Sequence, residues 1–236
     1  MKYSHKLHYH FEPERLTKDL ETAQLTWVNH FNERDYDGSW TGIPLRAPKH
    51  AHHPLNTGDE QSEYEDTELL KQLEYIPQVI ETFKCRATSV RLLKLAPEAK
   101  IKEHTDPDLS FWNGYIRLHV PILTNEQVNF TLDGHRMDMK PGECWFAEFS
   151  KTHSVYNGGA TDRIHLVMDC EVNDWVHELF IQEGIIGQDE QPPSEMEQFD
   201  DETRLQIIRA LEEQGTETSL RMAKEIRDRY SLPGIH

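Results

Sequence analysis

From residue 86 to residue 172 apolar and polar side chains alternate in short runs, the period of two that marks β-strands. The runs predict strands at 87–95, 99–104, 114–122, 127–132, 135–139, 143–149, 153–157 and 163–172. Asp133-Gly134 sits between two of them as a tight hairpin signal. Lys140-Pro141-Gly142 and Asn157-Gly158-Gly159 mark further turns. Many short strands with tight turns and no helix between them predict a double-sheet jelly roll or a similar antiparallel barrel.

The flanks read differently. Residues 3–11 alternate as an edge strand would, and 37–50 read as a strand and loop. Residues 13–28 predict a helix, with Pro13 in its first turn and Leu16, Leu20 and Ala23 at helical spacing. Residues 67–83 predict two short helical pieces split by Pro77. After 173 the pattern is helical. Leu205, Ile208 and Leu211 share one face behind an Asp200 or Asp201 cap; Leu220, Ala223, Ile226 and Tyr230 share another behind Thr218 or Ser219. The expected organisation is a β-domain with N-terminal helices over 1–180. A C-terminal helical extension over 181–236 is expected to pack on it, with Gln191-Pro192-Pro193-Ser194 as the linker candidate.

Composition narrows the class. The 236 residues carry a net charge of −17, which repels phosphate backbones and speaks against nucleic acid as a partner. The acidic runs at 59–68 and 183–202 read as solvated loops. No apolar run reaches the roughly 18 residues a membrane span needs, and the N-terminus has no apolar signal region, so a cytoplasmic protein is expected. Cys85, Cys144 and Cys170 are odd in number and have no CxxC spacing, against a disulfide framework or a zinc-thiolate site. Cys144 and Cys170 fall in apolar runs and read as buried thiols.

Fourteen histidines make any single one uninformative. His104-Thr105-Asp106 is more telling, because residues two apart on an extended chain point the same way and can aim an imidazole and a carboxylate at one point. His153, which opens a later strand, is the candidate third ligand. Two imidazoles and one carboxylate on one face of an octahedron leave three positions open, the arrangement that suits Fe(II) in oxygenases. Arg163 follows His153 by ten residues on an otherwise apolar strand and needs an anion if it faces inward. That anion is either a structural partner, Asp162 or Asp169, or the distal carboxylate of 2-oxoglutarate. Arg117 and His119 share one face of their strand and oppose Ile116, Leu118 and Val120; they line something acidic or face water. His50, His52 and His53, and His5, His8 and His10, read as surface or pocket-rim residues; Trp40 and Trp145 read as site walls or core aromatics.

The pieces LAPEAKIKEHTD, GYIRLHVPI, MKPGECWFAEF and THSVYNGGATDRIHLVMDCEVNDW occur in that order between Ser89 and Trp175. Together they resemble the aspartyl/asparaginyl β-hydroxylase family, and the layout is similar to bacterial proline hydroxylases, which also have a segment like GSWTGIPL at 38–45. The resemblance implies a mainly β, double-stranded β-helix (cupin-like) fold with flanking helices. It implies an Fe(II)- and 2-oxoglutarate-dependent dioxygenase that hydroxylates an amino acid or a derivative of one. By motif position it implies that His104, Asp106 and His153 bind iron and that Arg163 binds 2-oxoglutarate with His119. Arg117 lands at a substrate contact, with Arg91 as a second. The implied partners are dioxygen and a small substrate carrying a carboxylate. Asp106 sets this chain apart from the animal-type members, which act on protein side chains without a carboxylate ligand. A C-terminal helical part shorter than that of the proline hydroxylases leaves the substrate open. Two alternatives stand beside this reading: a hydroxylase of a protein, peptide or carrier-bound residue, and a non-catalytic cupin-like metal-binding module.

Overall fold

The alternation of the sequence is realised as two antiparallel sheets facing each other. A computed structural model describes residues 1–59, 61–192 and 199–232. Pro193 and Ser194 of the expected linker, and parts of both acidic runs, lie outside the described residues. The chain divides into two compact units, Met1–Glu190 and Gln191–His236.

In the first unit β1 (Ser4–His10), β2 (Val28–Asn29), β4 (Trp40–Pro48), β6 (Ala87–Leu95), β8 (Tyr115–Leu123), β11 (Glu143–Ala147) and β13 (Arg163–Glu171) form a large sheet in the order β1-β11-β8-β13-β6-β4-β2, with β5 (Tyr64–Asp66) on β4. A smaller sheet runs β10-β9-β12-β7-β3, from β3 (Tyr36–Asp37), β7 (Lys100–His104), β9 (Val128–Leu132), β10 (His135–Met137) and β12 (His153–Asn157). This mainly β, double-sheet arrangement is the fold class expected from the sequence. Asp133 and Gly134, at φ 49° and 74°, make the β9–β10 turn with Leu132 paired to His135.

The pleat of the large sheet decides everything that follows. On one face Ile116, Leu118 and Val120 of β8 and Ile164, Leu166, Met168 and Cys170 of β13 pack under helices α1 (Pro13–Thr22), α3 (Ile76–Glu81) and α4 (Asp174–Gln182), through Leu16, Ile76, Val79, Val176 and Phe180. On the other face Leu93, Leu95 and Val167 meet Ile101, Phe130, Leu132 and Val155 of the small sheet. Arg91, Arg117, His119, Arg163, His165 and Asp169 share this second face by the same alternation. Cys144 and Cys170 are buried free thiols.

Local helix signals were less faithful. The helix expected over 13–28 ends at Thr22, after which Ala23, Leu25 and Trp27 pack on the core at strand-like spacing. Between 67 and 83 the chain breaks ahead of Pro77, which occupies the first turn of α3 after α2 (Glu68–Gln72) rather than splitting a helix. In the second unit α5 (Asp201–Gln214) is capped by Asp200, and α6 (Glu217–Tyr230) by a reciprocal Thr216/Ser219 box in place of Thr218 or Ser219. Ile208 and Ala223 pack together there with Leu205, Leu211, Ile226 and Tyr230, but Leu220 is 47% exposed and does not join the expected face. No described helix is long and apolar enough to cross a membrane.

Asp19 on α1, 2% exposed, accepts the backbone N–H groups of Glu74, Tyr75 and Ile76 at 3.0, 2.9 and 2.7 Å, which ties α1 to the start of α3. Asp19→Ala strands these donors, so we expect a loss of about 3 kcal/mol in urea unfolding; a loss below about 1 kcal/mol would contradict this role.

Candidate metal centre

His104, Asp106 and His153 converge. One donor atom from each lies within 4.8 Å of the other two, and theirs is the only such group of ligating side chains among the described residues. Three local devices bring them together. A register shift between β7 and β12 pairs His153 with His104 but Val155 with Ile101, so β7 carries one extra residue. This bulge turns His104 inward together with Ile101, three residues before it. Past the end of β7, the Asp106 N–H donates to the Phe149 carbonyl at 2.9 Å, which fixes the loop against the β11–β12 connection. His153 itself opens β12.

Both imidazoles are oriented by backbone. His104 Nδ1 lies 2.8 Å from the Lys102 carbonyl, and His153 Nδ1 lies 2.9 Å from that of Lys151. A carbonyl only accepts, so each Nδ1 carries the proton and each Nε2 keeps its lone pair. Burial pushes the His153 imidazole down to about 4, which favours the neutral, ligating form. Burial alone would raise the Asp106 carboxyl; Arg117, His153 and His104 outweigh it and hold the group below the ordinary carboxylate range.

The centre opens on a cavity of about 240 Å³ lined by Leu93, Ile101, Phe130, Phe149, Val155 and Val167. Arg91, Arg117, His119 and Arg163 also line it, as expected of inward-facing residues. Their pairing differs sharply. Arg117 donates through Nε and Nη2 to Asp169 at 2.5 and 3.0 Å and through Nη1 to Asp106 at 2.7 Å. Arg91 donates to Asp169 at 2.8 Å. So Arg117, expected at a substrate carboxylate, already serves two acids of the chain.

Arg163 is 2% exposed and has neither structural partner weighed from the sequence: Asp162 lies 3.8 Å from Lys94, and Asp169 is taken by Arg91 and Arg117. Among the described residues its one hydrogen bond goes to His165 Nδ1 at 3.0 Å and its Nε has no partner; burial lowers its pKa to about 9. Because arginine only donates, His165 Nδ1 is the acceptor there. His119 Nδ1, 3.3 Å from the same atom, then carries its proton, and the unpartnered His119 Nε2 holds a lone pair.

The sequence reading missed several elements. His165 had no assigned role, and Asp169, weighed as a partner of Arg163, instead serves Arg117 and Arg91. His30 and Phe31 also line the cavity. His30 stacks on Trp40 at 3.6 Å, and burial lowers its pKa to about 3. Trp40 thus walls the cavity, whereas Trp145 does not line it and donates to Glu143. His5 and His8 gain a carboxylate neighbour that sequence spacing could not show, Glu183 of the turn after α4.

Comparison with known proteins adds a family. The family described as Aspartyl/Asparaginyl beta-hydroxylase matches residues 12–172. L-proline cis-4-hydroxylase of Rhizobium meliloti (strain 1021) is 28% identical over 163 residues, covering 68% of this chain and 58% of that protein. L-proline cis-3-hydroxylase 1 of Streptomyces sp is 26% identical over 164 residues, covering 67% and 56%. The chain therefore spans a little over half the length of these curated relatives. Among solved structures, a 2OG-Fe(II) oxygenase family oxidoreductase from Burkholderia pseudomallei aligns with a TM-score of 0.47 at 11% identity, over 68% of this chain and 79% of its own.

Burial holds both His119 and His165 well below the ordinary histidine value. The folded chain thus binds fewer protons than the unfolded one below about pH 6.5. The stability these two contribute is complete above that value and is lost as the pH falls, by up to about 1.4 kcal/mol per pH unit for each. Thermal unfolding of the metal-free protein should shift downward between about pH 7 and pH 5.5, and less steeply in His165→Gln. An equally steep decline in that variant would contradict the assignment.

Proposed function

The chain belongs to the aspartyl/asparaginyl β-hydroxylase family, and on that premise we propose that it is an Fe(II)- and 2-oxoglutarate-dependent dioxygenase that hydroxylates an amino acid or a small amino-acid derivative. The observation that carries this reading is a convergent His104/Asp106/His153 donor set in the same cavity as a buried arginine, Arg163, that has no acid partner among the described residues. The metal set alone would equally fit a non-catalytic binding module. A buried unpaired guanidinium is costly and calls for an anion from outside the chain.

The residues fit both groups. His104 and His153 would present Nε2 lone pairs and Asp106 a carboxylate oxygen, which leaves coordination positions open for a bidentate co-substrate. Arg163 would take the distal carboxylate of 2-oxoglutarate, and a planar guanidinium can offer it two parallel hydrogen bonds. His119 would border that same carboxylate site. Together Fe(II), 2-oxoglutarate and dioxygen would supply the oxidising power to hydroxylate a C–H bond, with release of carbon dioxide and succinate.

The chain's own work is to hold and to exclude. Phe130, Phe149, Ile101 and Val155 keep water from the centre. His30, stacked on Trp40, and Phe31 line the same cavity and are the walls we assign to the substrate side. Arg91, whose Nε has no partner, is the cation we assign to a substrate carboxylate; Arg117 is largely engaged by Asp106 and Asp169. The small cavity and the amino-acid substrates in the names of the two relatives support a small substrate over a protein.

With Fe(II), 2-oxoglutarate and a panel of free amino acids that includes proline, we expect succinate release coupled to a hydroxylated product. His153→Ala should abolish it, and Arg163→Met should weaken 2-oxoglutarate binding by about 100-fold, the scale for truncating one partner of a buried charge pair. Full turnover in His153→Ala, or unchanged 2-oxoglutarate affinity in Arg163→Met, would refute the assignment.

A further inference from the structure

Asp169 is 3% exposed and lies on β13 directly across from Arg117 on β8. It receives Nε and Nη2 of Arg117, the two nitrogens on one edge of the guanidinium, and also Nη2 of Arg91. A planar group held along one edge cannot turn. Its remaining nitrogen, Nη1, is left one direction, and in that direction it meets Oδ2 of Asp106. One lone pair of Oδ2 is thereby engaged, and Oδ1 receives no hydrogen bond from the described residues.

From this geometry we propose that Asp169 is a positioning residue for the metal centre: by holding one edge of Arg117, it limits that arginine to a single oxygen of Asp106. The inference rests on the metal reading of His104, Asp106 and His153. Without the charge on Asp169, the Arg117 guanidinium is free to turn its two-nitrogen edge toward Asp106, a fork that matches both carboxylate oxygens. Arg117 then competes with the metal for its ligand instead of orienting it. Arg91 strengthens the arrangement from the far side, since it binds the same carboxylate and holds it on the sheet face. Outer partners of ligating groups commonly set metal affinity within a 10- to 100-fold range.

The test uses Co(II) as probe on the full chain, read as a dissociation constant and a visible spectrum, with thermal unfolding of each metal-free variant as the folding control. Asp169→Asn keeps the shape and removes the charge; we expect Co(II) affinity to fall by about 10- to 100-fold and the Co(II) spectrum to change. In an Arg117→Met background the same Asp169→Asn change should alter affinity by less than about twofold, because the competitor is gone. An equal loss in both backgrounds, or no loss in either, overturns the proposal. If Asp169→Asn does not yield folded protein, Asp169→Ser in both Arg117 backgrounds stands in, and an equal loss in both, or no loss in either, overturns the proposal as well. Wild-type protein that binds no Co(II) would refute the metal reading itself, whereas binding that is indifferent to Asp169 refutes only this inference.

Discussion

Charge buried on one face of a sheet must be matched, and the site is built around how that matching is done. Asp106, Arg117, Asp169 and Arg91 follow one another with alternating sign, each in hydrogen-bond contact with the next. Taken singly, each would cost several kcal/mol to bury. Taken as a row they are compensated, and the row ends at Asp106 of the candidate metal centre. Arg163, on the same face, stands outside it with a neutral histidine as its partner. Arg163 is thus left without a carboxylate among the described residues. On the proposed reading, that imbalance suits the cavity to a dicarboxylate co-substrate rather than to a metal alone.

The row exists because a strand has two faces. The large sheet gives one face of β6, β8 and β13 to the helices through Leu92, Leu118 and Leu166, and the other to the cavity through Arg91, Arg117 and Arg163. A one-residue slip in any of these strands would exchange core for charge, so the hydrophobic layer enforces the register of the chemistry. The small sheet obeys the same rule with one exception. Its strand β7 carries a bulge, and the exception is what turns His104 toward His153.

Most of the β-architecture was legible because alternation and turn chemistry agree along the chain, as at Asp133-Gly134. Alternation also put Arg117 and His119 on one face and singled out the three residues that meet as the donor set, but it left open whether Arg117, His119 and Arg163 face inward, which the structure shows they do. Partners set by long-range register were not. Asp169 lies 52 residues from Arg117, and nothing near either residue announces their contact. The bulge at Lys102 and Glu103 has no local signal such as glycine, and His30 reaches the cavity only because β2 pairs with β4. The helix after Pro13 ended early because core contacts of Leu25 and Trp27 outweigh helix propensity.

The function proposed for the cavity requires that Arg163 and the three donors serve one co-substrate. Anaerobic addition of 2-oxoglutarate to the Fe(II)-loaded protein tests that directly, because chelation by a 2-oxo acid gives a visible charge-transfer band. Such a shared role predicts a band that requires both metal and 2-oxoglutarate and that saturates at far higher 2-oxoglutarate concentration in Arg163→Met. Iron bound with no band at saturating 2-oxoglutarate would contradict it.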